Sequence, residues 1–223
     1  MISAPDLALE ARARQSQGGS DDAIYSAAAA ALRRRGARGR IVDVGCGTGR
    51  LRGFLDGMID SYAGVDAIRY DGLASGIAFV RADLNRDPIP VPDQSADVAI
   101  AIETIEHLEN PRAFVRELVR IARPGGWIVI STPNQRSLVS LGALLFKDHF
   151  SAFDTSNYPA HQTALLDTDL IRMAGENNLG DIAIEFTGVG RMPLTSARYP
   201  HAVSRAFPRA MSDNVLLIAR KRA

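Results

Sequence analysis

The apolar run Arg40-Ile41-Val42-Asp43-Val44 leads without a break into Gly45-Cys46-Gly47-Thr48-Gly49. A strand that ends in three alternating glycines must turn tightly. Glycine has no Cβ, so it reaches positive φ at little steric cost and lets the backbone come close to a neighbour. The expectation is a strand-to-turn junction whose N–H groups approach a small molecule. The Gly-x-Gly-x-Gly spacing is one residue short of the dinucleotide pattern Gly-x-Gly-x-x-Gly.

Further apolar runs at 61–65, 77–80, 96–101 and 127–131 are separated by stretches with helical character, an alternation that predicts a mostly parallel sheet. Two later runs, at 181–187 and 214–220, bring the number of strands to about seven. Ser20 reads as the N-cap of a helix that runs through Arg35 and stops at Gly36. A second helix is signalled at 111, where Asn110 can cap, Pro111 suits the first helical position, and Pro124-Gly125-Gly126 ends the segment. Residues 1–19 end in Gly18-Gly19 and read as a flexible tail. Residues 20–223 read as one domain, with 147–162 and 190–212 as insertions on the substrate side.

At 223 residues a single domain can bury roughly 70% of its unfolded surface. With 26 Lys plus Arg against 25 Asp plus Glu, the formal charge is +1, and no global field marks a nucleic-acid binder. One cysteine, Cys46, excludes an intrachain disulfide and a thiolate metal cluster. No run reaches the ~20 apolar residues of a membrane span, and no basic-then-apolar leader opens the chain, so a cytoplasmic location is the expectation.

Several acidic groups fall at predicted strand ends. Asp66 closes the second strand, 19 residues after Gly47, where a carboxylate can accept both hydroxyls of a ribose. Asp83 and Leu84 follow the third strand. The fourth opens into Glu103-Thr104-Ile105-Glu106-His107-Leu108, and offsets of three and four in a helical turn would bring Glu106 and His107 beside Glu103. Two carboxylates and an imidazole suit Mg²⁺ or Mn²⁺, and a bound cation would orient and acidify a hydroxyl. A further ligand could come from His161, or from His149. The bland alternatives are that Glu103 braces the glycine loop, Glu106 is solvated and His107 packs under the next helix. Trp127 reads as core packing, and Cys46 as a small residue at a tight turn without a base beside it. From Arg191 to Arg209 there are four arginines and no acid, a stretch that could meet an acidic substrate or a membrane surface, or simply cover apolar surface.

The strand, glycine turn and Asp43 resemble motif I of the class I S-adenosylmethionine-dependent methyltransferases. The Glu-x-x-Glu-His motif resembles that of the ubiquinone-biosynthesis O-methyltransferases. It is also similar to that of the small-RNA 3′-terminal 2′-O-methyltransferases, whose Arg-His-x-x-His pattern is not matched here. The resemblance covers about residues 20–220 and is strongest over 40–134. It implies a Rossmann-like doubly wound sheet with an antiparallel last strand. It also implies that S-adenosylmethionine sits on Asp43, Gly45, Cys46, Gly47 and Gly49, with Asp66 and Ala67 at the ribose, Asp83 and Leu84 at adenine, and Glu103 nearby. Glu106 and His107 would then be catalytic, and Glu103, Glu106, His107 and His161 the metal ligands. The partner implied is a small-molecule or saccharide hydroxyl rather than nucleic acid. An RNA 3′-end methyltransferase, a nicotinamide-dependent oxidoreductase and a non-catalytic cofactor-binding subunit stay open as alternatives.

Overall fold

A computed structural model describes residues 10, 11, 13, 14 and 18–223. Helix α1 (Asp22–Arg34) precedes β1 (Gly39–Val44), β2 (Ile59–Asp66), β3 (Ala78–Arg81) and β4 (Ala96–Ala101). There follow α2 (Pro111–Ile121), β5 (Ala122–Pro133), α3 (Leu138–Lys147), α4 (Asp167–Glu176), β6 (Leu179–Phe186), α5 (His201–Ala206) and β7 (Asn214–Lys221). The seven strands form one sheet in the order β3-β2-β1-β4-β5-β7-β6. Pairing is parallel from β3 through β5, and β7 runs antiparallel to both β5 and β6. This is the expected α/β doubly wound arrangement with an antiparallel last strand.

Alternating side chains of the central strands feed two cores. Val98 and Ile100 pack with Ile24, Ala28 and Leu32 of α1, whereas Ala99 and Ala101 pack with Val115 and Leu118 of α2 and Leu170 and Met173 of α4. Buried strands flanked on both faces require this continuous apolar character.

The helical connections differ from the expectation on the β1–β4 side. A short 3₁₀ turn at Arg50–Phe54 joins β1 to β2, and among the described residues no α-helix separates β2, β3 and β4. Asp21, not Ser20, caps α1, its carboxylate accepting from the Ala23 N–H at 2.9 Å. Ser20 instead donates its N–H to the Tyr25 hydroxyl. Asn110 caps α2 as its sequence predicts, but α2 ends at Ile121, and Arg123 to Gly126 belong to β5. Trp127 packs half-buried on the α1-side core, with the Arg35 and Arg220 guanidiniums 5.7 and 5.4 Å from its ring.

Candidate functional site

The carboxyl ends of β1, β2, β4 and β5 open onto a cavity of about 630 Å³. Its wall is assembled from the glycine turn, the ends of the parallel strands and the segments that follow α3 and β6. Ligands of doubly wound sheets settle at this edge.

The glycine turn does not behave as its sequence suggests. Val65 O accepts from the N–H of both Gly45 and Cys46, Asp66 Oδ2 from Gly47 at 2.8 Å, Gly18 O from Thr48 at 2.8 Å, and Cys46 O from Gly49. All five amides of the loop are thus used inside the protein. Gly47 has φ +52°, and a Cβ there would lie 2.1 Å from the Gly18 carbonyl oxygen. The glycines allow the loop to fold onto its own neighbours rather than bare its N–H groups to a ligand. Gly18 also accepts from the Thr48 hydroxyl, and Tyr70 donates its hydroxyl to Ala13 O at 2.5 Å. Residues of the segment expected to be a flexible tail therefore dock against the loop and line the cavity. Its positions 1–9, 12 and 15–17 lie outside the described residues.

Asp66 lines the cavity, its two oxygens accepting from the N–H groups of Gly47 and Ala67, the latter at 2.7 Å. Burial raises its carboxyl above the usual carboxylate range, and the backbone N–H groups of Gly47, Ala67 and Ile68 act against the shift. Asp43 is buried at the end of β1, and burial pushes it up to about 7 although the Tyr62 hydroxyl donates to it at 2.5 Å. Asp83 and Leu84 line the wall, with Asp83 Oδ1 accepting from the Asn85 N–H. Ala67 and Cys46 line it too. Gly49 faces Ile77 instead, so that position is structural. Burial pushes the Cys46 thiol up, away from any nucleophilic thiolate.

Glu103 adopts φ +49°, a left-handed conformation uncommon for a side chain of this size, and this bend turns β4 into the 3₁₀ turn Ile105–His107. Ser131 holds it twice, accepting the Glu103 N–H at 2.9 Å and donating its hydroxyl to Oε1 at 2.7 Å. Asn214 donates to Oε2 at 2.8 Å. Burial raises Glu103 to about 7, opposed by these bonds. Its carboxyl serves Ser131 and Asn214 and stands apart from the cluster of potential ligands.

That cluster is Glu106, His107 and His161, each offering one ligand atom, all within 4.8 Å of one another. His161 arrives because the Glu106 carbonyl accepts from the N–H groups of both Gln162 and Thr163, which pins the far end of the 147–162 segment to the 3₁₀ turn. The Nδ1 of His107 lies 2.9 Å from Ala160 O, and that of His161 lies 2.6 Å from Ala152 O. A carbonyl can only accept, so Nδ1 carries the proton in both rings and each Nε2 has a free lone pair. Burial lowers His107 to about 4 and lowers His161 as well, keeping both neutral at pH 7.

Glu106 is wholly buried, and neither carboxyl oxygen has a hydrogen-bond partner. The Thr132 hydroxyl is close enough to favour its charge slightly but does not form a hydrogen bond. Burial, and then the charge of Glu103, push its carboxyl well above the ordinary range. A buried orphan carboxyl beside two imidazole lone pairs is the donor set a cation would complete. His149 turns its Nδ1 to the neighbouring Phe150 carbonyl and does not line the cavity.

Reasoning from sequence alone missed Ser131, Asn214, Tyr70 and Gly18. The first had a signal in the polar end of β5. Asn214 is 111 residues from Glu103 and had none.

Comparison with known proteins agrees with this architecture. The family described as "Methyltransferase domain" matches residues 20–183. A Mycolicibacterium smegmatis protein named "Probable S-adenosylmethionine-dependent methyltransferase" is 31% identical over 187 residues, 78% of this chain and 65% of its own length. The ubiquinone biosynthesis O-methyltransferase of Idiomarina loihiensis is 28% identical over 156 residues, 65% of this chain and 63% of its own length. The chain thus spans less than two thirds of either relative. Among solved structures, a SAM-dependent methyltransferase from Thermotoga maritima superposes with a TM-score of 0.63 at 18% identity, covering 89% of each chain. One from Archaeoglobus fulgidus gives 0.59 at 22% identity, covering 93% of this chain and 97% of that one. These two share the fold. With its sheet order, strand-end cavity and matched domain, the chain belongs to the class I S-adenosylmethionine-dependent methyltransferase family.

Proposed function

We propose that the protein transfers a methyl group from S-adenosylmethionine to the hydroxyl of a small molecule or saccharide. The observation that carries the reading is the Glu106, His107 and His161 cluster, with two imidazole lone pairs and an orphan carboxyl, in the same cavity as Asp66 and the glycine turn.

The cavity supports this donor over a nicotinamide dinucleotide. Among the described residues, the arginines that line it are Arg191 and Arg198. Both arginines are already engaged, Arg191 with Asp213 and Arg198 with Asp21. A pyrophosphate would need free amides or unpaired cations, and the five loop amides have intramolecular acceptors. The same lack of unpaired arginines among the described lining residues disfavours a polyanionic acceptor such as RNA.

In this reading Asp66 accepts ribose hydroxyls, Asp83 and Leu84 take the adenine, and Asp43 supports the loop through Tyr62. When bound, the donor supplies an electrophilic methyl carbon, displaced in line by the acceptor oxygen. The protein's part is alignment and removal of the hydroxyl proton. His107 Nε2 is the base, kept neutral by burial and aimed by its Nδ1–H bond to Ala160. In the other form of this reading, Nε2 would instead join Glu106 and His161 in holding a divalent cation, which would lower the pKa of the acceptor hydroxyl in place of the base. With Glu103 committed to Ser131 and Asn214, this one-carboxylate, two-imidazole set suits Mn²⁺ better than Mg²⁺.

The test is calorimetric titration of metal-stripped protein with S-adenosylmethionine, NAD serving as control. Labelled methyl transfer to a panel of hydroxyl acceptors with and without Mn²⁺ follows. Binding of the sulfonium and label on an acceptor oxygen are expected, and Glu106→Gln should abolish transfer while leaving donor affinity nearly intact. Heat with NAD and none with S-adenosylmethionine would overturn the reading.

A further inference from the structure

Helix α3 lies against the rule that a surface helix hides its apolar side. Its sequence is Leu-Val-Ser-Leu-Gly-Ala-Leu-Leu-Phe-Lys, and its fully buried side chain is that of Ser140. Leu138, Leu141, Leu144 and Leu145 follow one another at helical spacing, and all are exposed, Leu145 at 76%. Phe146 beside them is 83% exposed. The patch continues past the helix. The Leu138 N–H donates to Ala210 O at 2.8 Å, which sets the start of α3 against the turn that carries Phe207, itself 61% exposed. An exposed apolar helix face of this kind marks a docking site.

Its surroundings indicate what docks. Lys147 closes α3, and Asp148 is the single acid between residues 136 and 150. Of the arginines in the neighbouring stretch 191–209, Arg191 and Arg198 pair with Asp213 and Asp21, whereas Arg209 shares the one carboxylate of Asp167 with Arg136, and Arg205 stands exposed on α5 near Phe207. Apolar anchors inside a basic rim complement an anionic lipid surface, with the anchors entering the acyl boundary and the cations meeting headgroups. At ten residues α3 is too short to cross a bilayer, and among the described residues no helix is long and apolar enough to do so. The geometry is that of a helix lying on a membrane.

The patch is also joined to the cavity. Pro133 and Asn134 before α3, and Ser151 and Ala152 after it, line the cavity wall, and Ser151 donates its N–H to the buried Ser140 hydroxyl. We propose that α3 and the Phe207 turn dock this protein on an anionic membrane surface, with the cavity mouth beside the lipid. It follows, resting on the methyltransferase reading, that the acceptor is an amphiphile whose hydroxyl reaches the site from that surface.

The experiment is flotation of the full chain with vesicles of phosphatidylcholine alone and of phosphatidylcholine with phosphatidylglycerol, with S-adenosylhomocysteine binding measured on the same samples. The chain should float with the anionic vesicles. Leu145→Glu combined with Phe146→Glu should weaken that about a hundredfold, since two exposed anchors are lost without touching the core. Lys147→Glu with Arg205→Glu should remove the preference for phosphatidylglycerol. S-adenosylhomocysteine affinity should be the same in all. Absence of flotation, equal flotation of the Leu145→Glu/Phe146→Glu variant, or self-association through the same face without flotation would each overturn the docking proposal. Loss of S-adenosylhomocysteine binding with flotation intact would instead overturn the methyltransferase reading.

Discussion

The rings of His107 and His161 meet edge to face with centroids 4.8 Å apart, although the residues are separated by α2, β5 and α3. Each is aimed by a backbone carbonyl through Nδ1, so the two Nε2 atoms are held without any help from an acidic side chain. His161→Ala should lower Mn²⁺ affinity at least about tenfold while leaving the melting temperature of the metal-free protein near that of the parent. Calorimetric titration decides it, and unchanged affinity would remove His161 from the proposed ligand set.

Asp66→Ala removes the acceptor from the end of β2. The expected result is a ten- to hundredfold weaker S-adenosylhomocysteine affinity, the magnitude of losing hydrogen bonds to a charged group, about 1.5–3 kcal/mol. Because Asp66 also holds the Gly47 N–H, the melting temperature should be recorded alongside. A large thermal loss with unaltered affinity would assign Asp66 to the loop alone.

Asp43 gives a pH prediction. Its folded pKa of about 7 exceeds its ordinary value of 3.8, so the native state holds a proton that the unfolded chain has lost. The associated stability is complete below the ordinary value and disappears as pH rises through about 7. Asp43→Asn can still accept from Tyr62 but does not titrate. Its urea midpoint should fall less steeply between pH 4 and pH 7 than the parent's, with Asp66, Glu103 and Glu106, which are raised in the same direction, contributing to the remaining slope. Parallel curves would contradict the burial of a proton on Asp43.

Gly47→Ala combines a positive φ with a Cβ 2.1 Å from Gly18 O. Either the loop strains or residue 18 moves, and a loss of about 1–3 kcal/mol is expected. Urea denaturation measures the loss. Faster protease cleavage ahead of residue 18 would show that the segment has moved.

The strands were legible because buried parallel strands leave unmistakable apolar runs, and the α2 start because Asn110-Pro111 is a local signal. The helices expected between β1 and β4 failed because short apolar stretches such as 51–55 carry no information on whether they close as an α-helix or a 3₁₀ turn. At the site, Asp66, Glu106 and His107 could be found from their place at strand ends. His161 was nameable only as one of two histidines, since the Glu106 carbonyl that fixes it is a backbone contact. Glu103 was set in the wrong company for a related reason. Its partners Ser131 and Asn214 come from other strands, and a left-handed backbone turn aims it at them.

The Gly18 carbonyl that accepts from Thr48 has one further meaning. Both groups are main chain, yet residue 18 is itself confined to glycine, since its φ is +61° and a Cβ there would lie 2.7 Å from the Tyr70 ring. A second imprint falls on the residue before Thr48, as the exclusion of every side chain at position 47. A glycine that reads as a ligand's footprint is therefore the record of the protein's own latch, and a side chain is shut out at both ends of it.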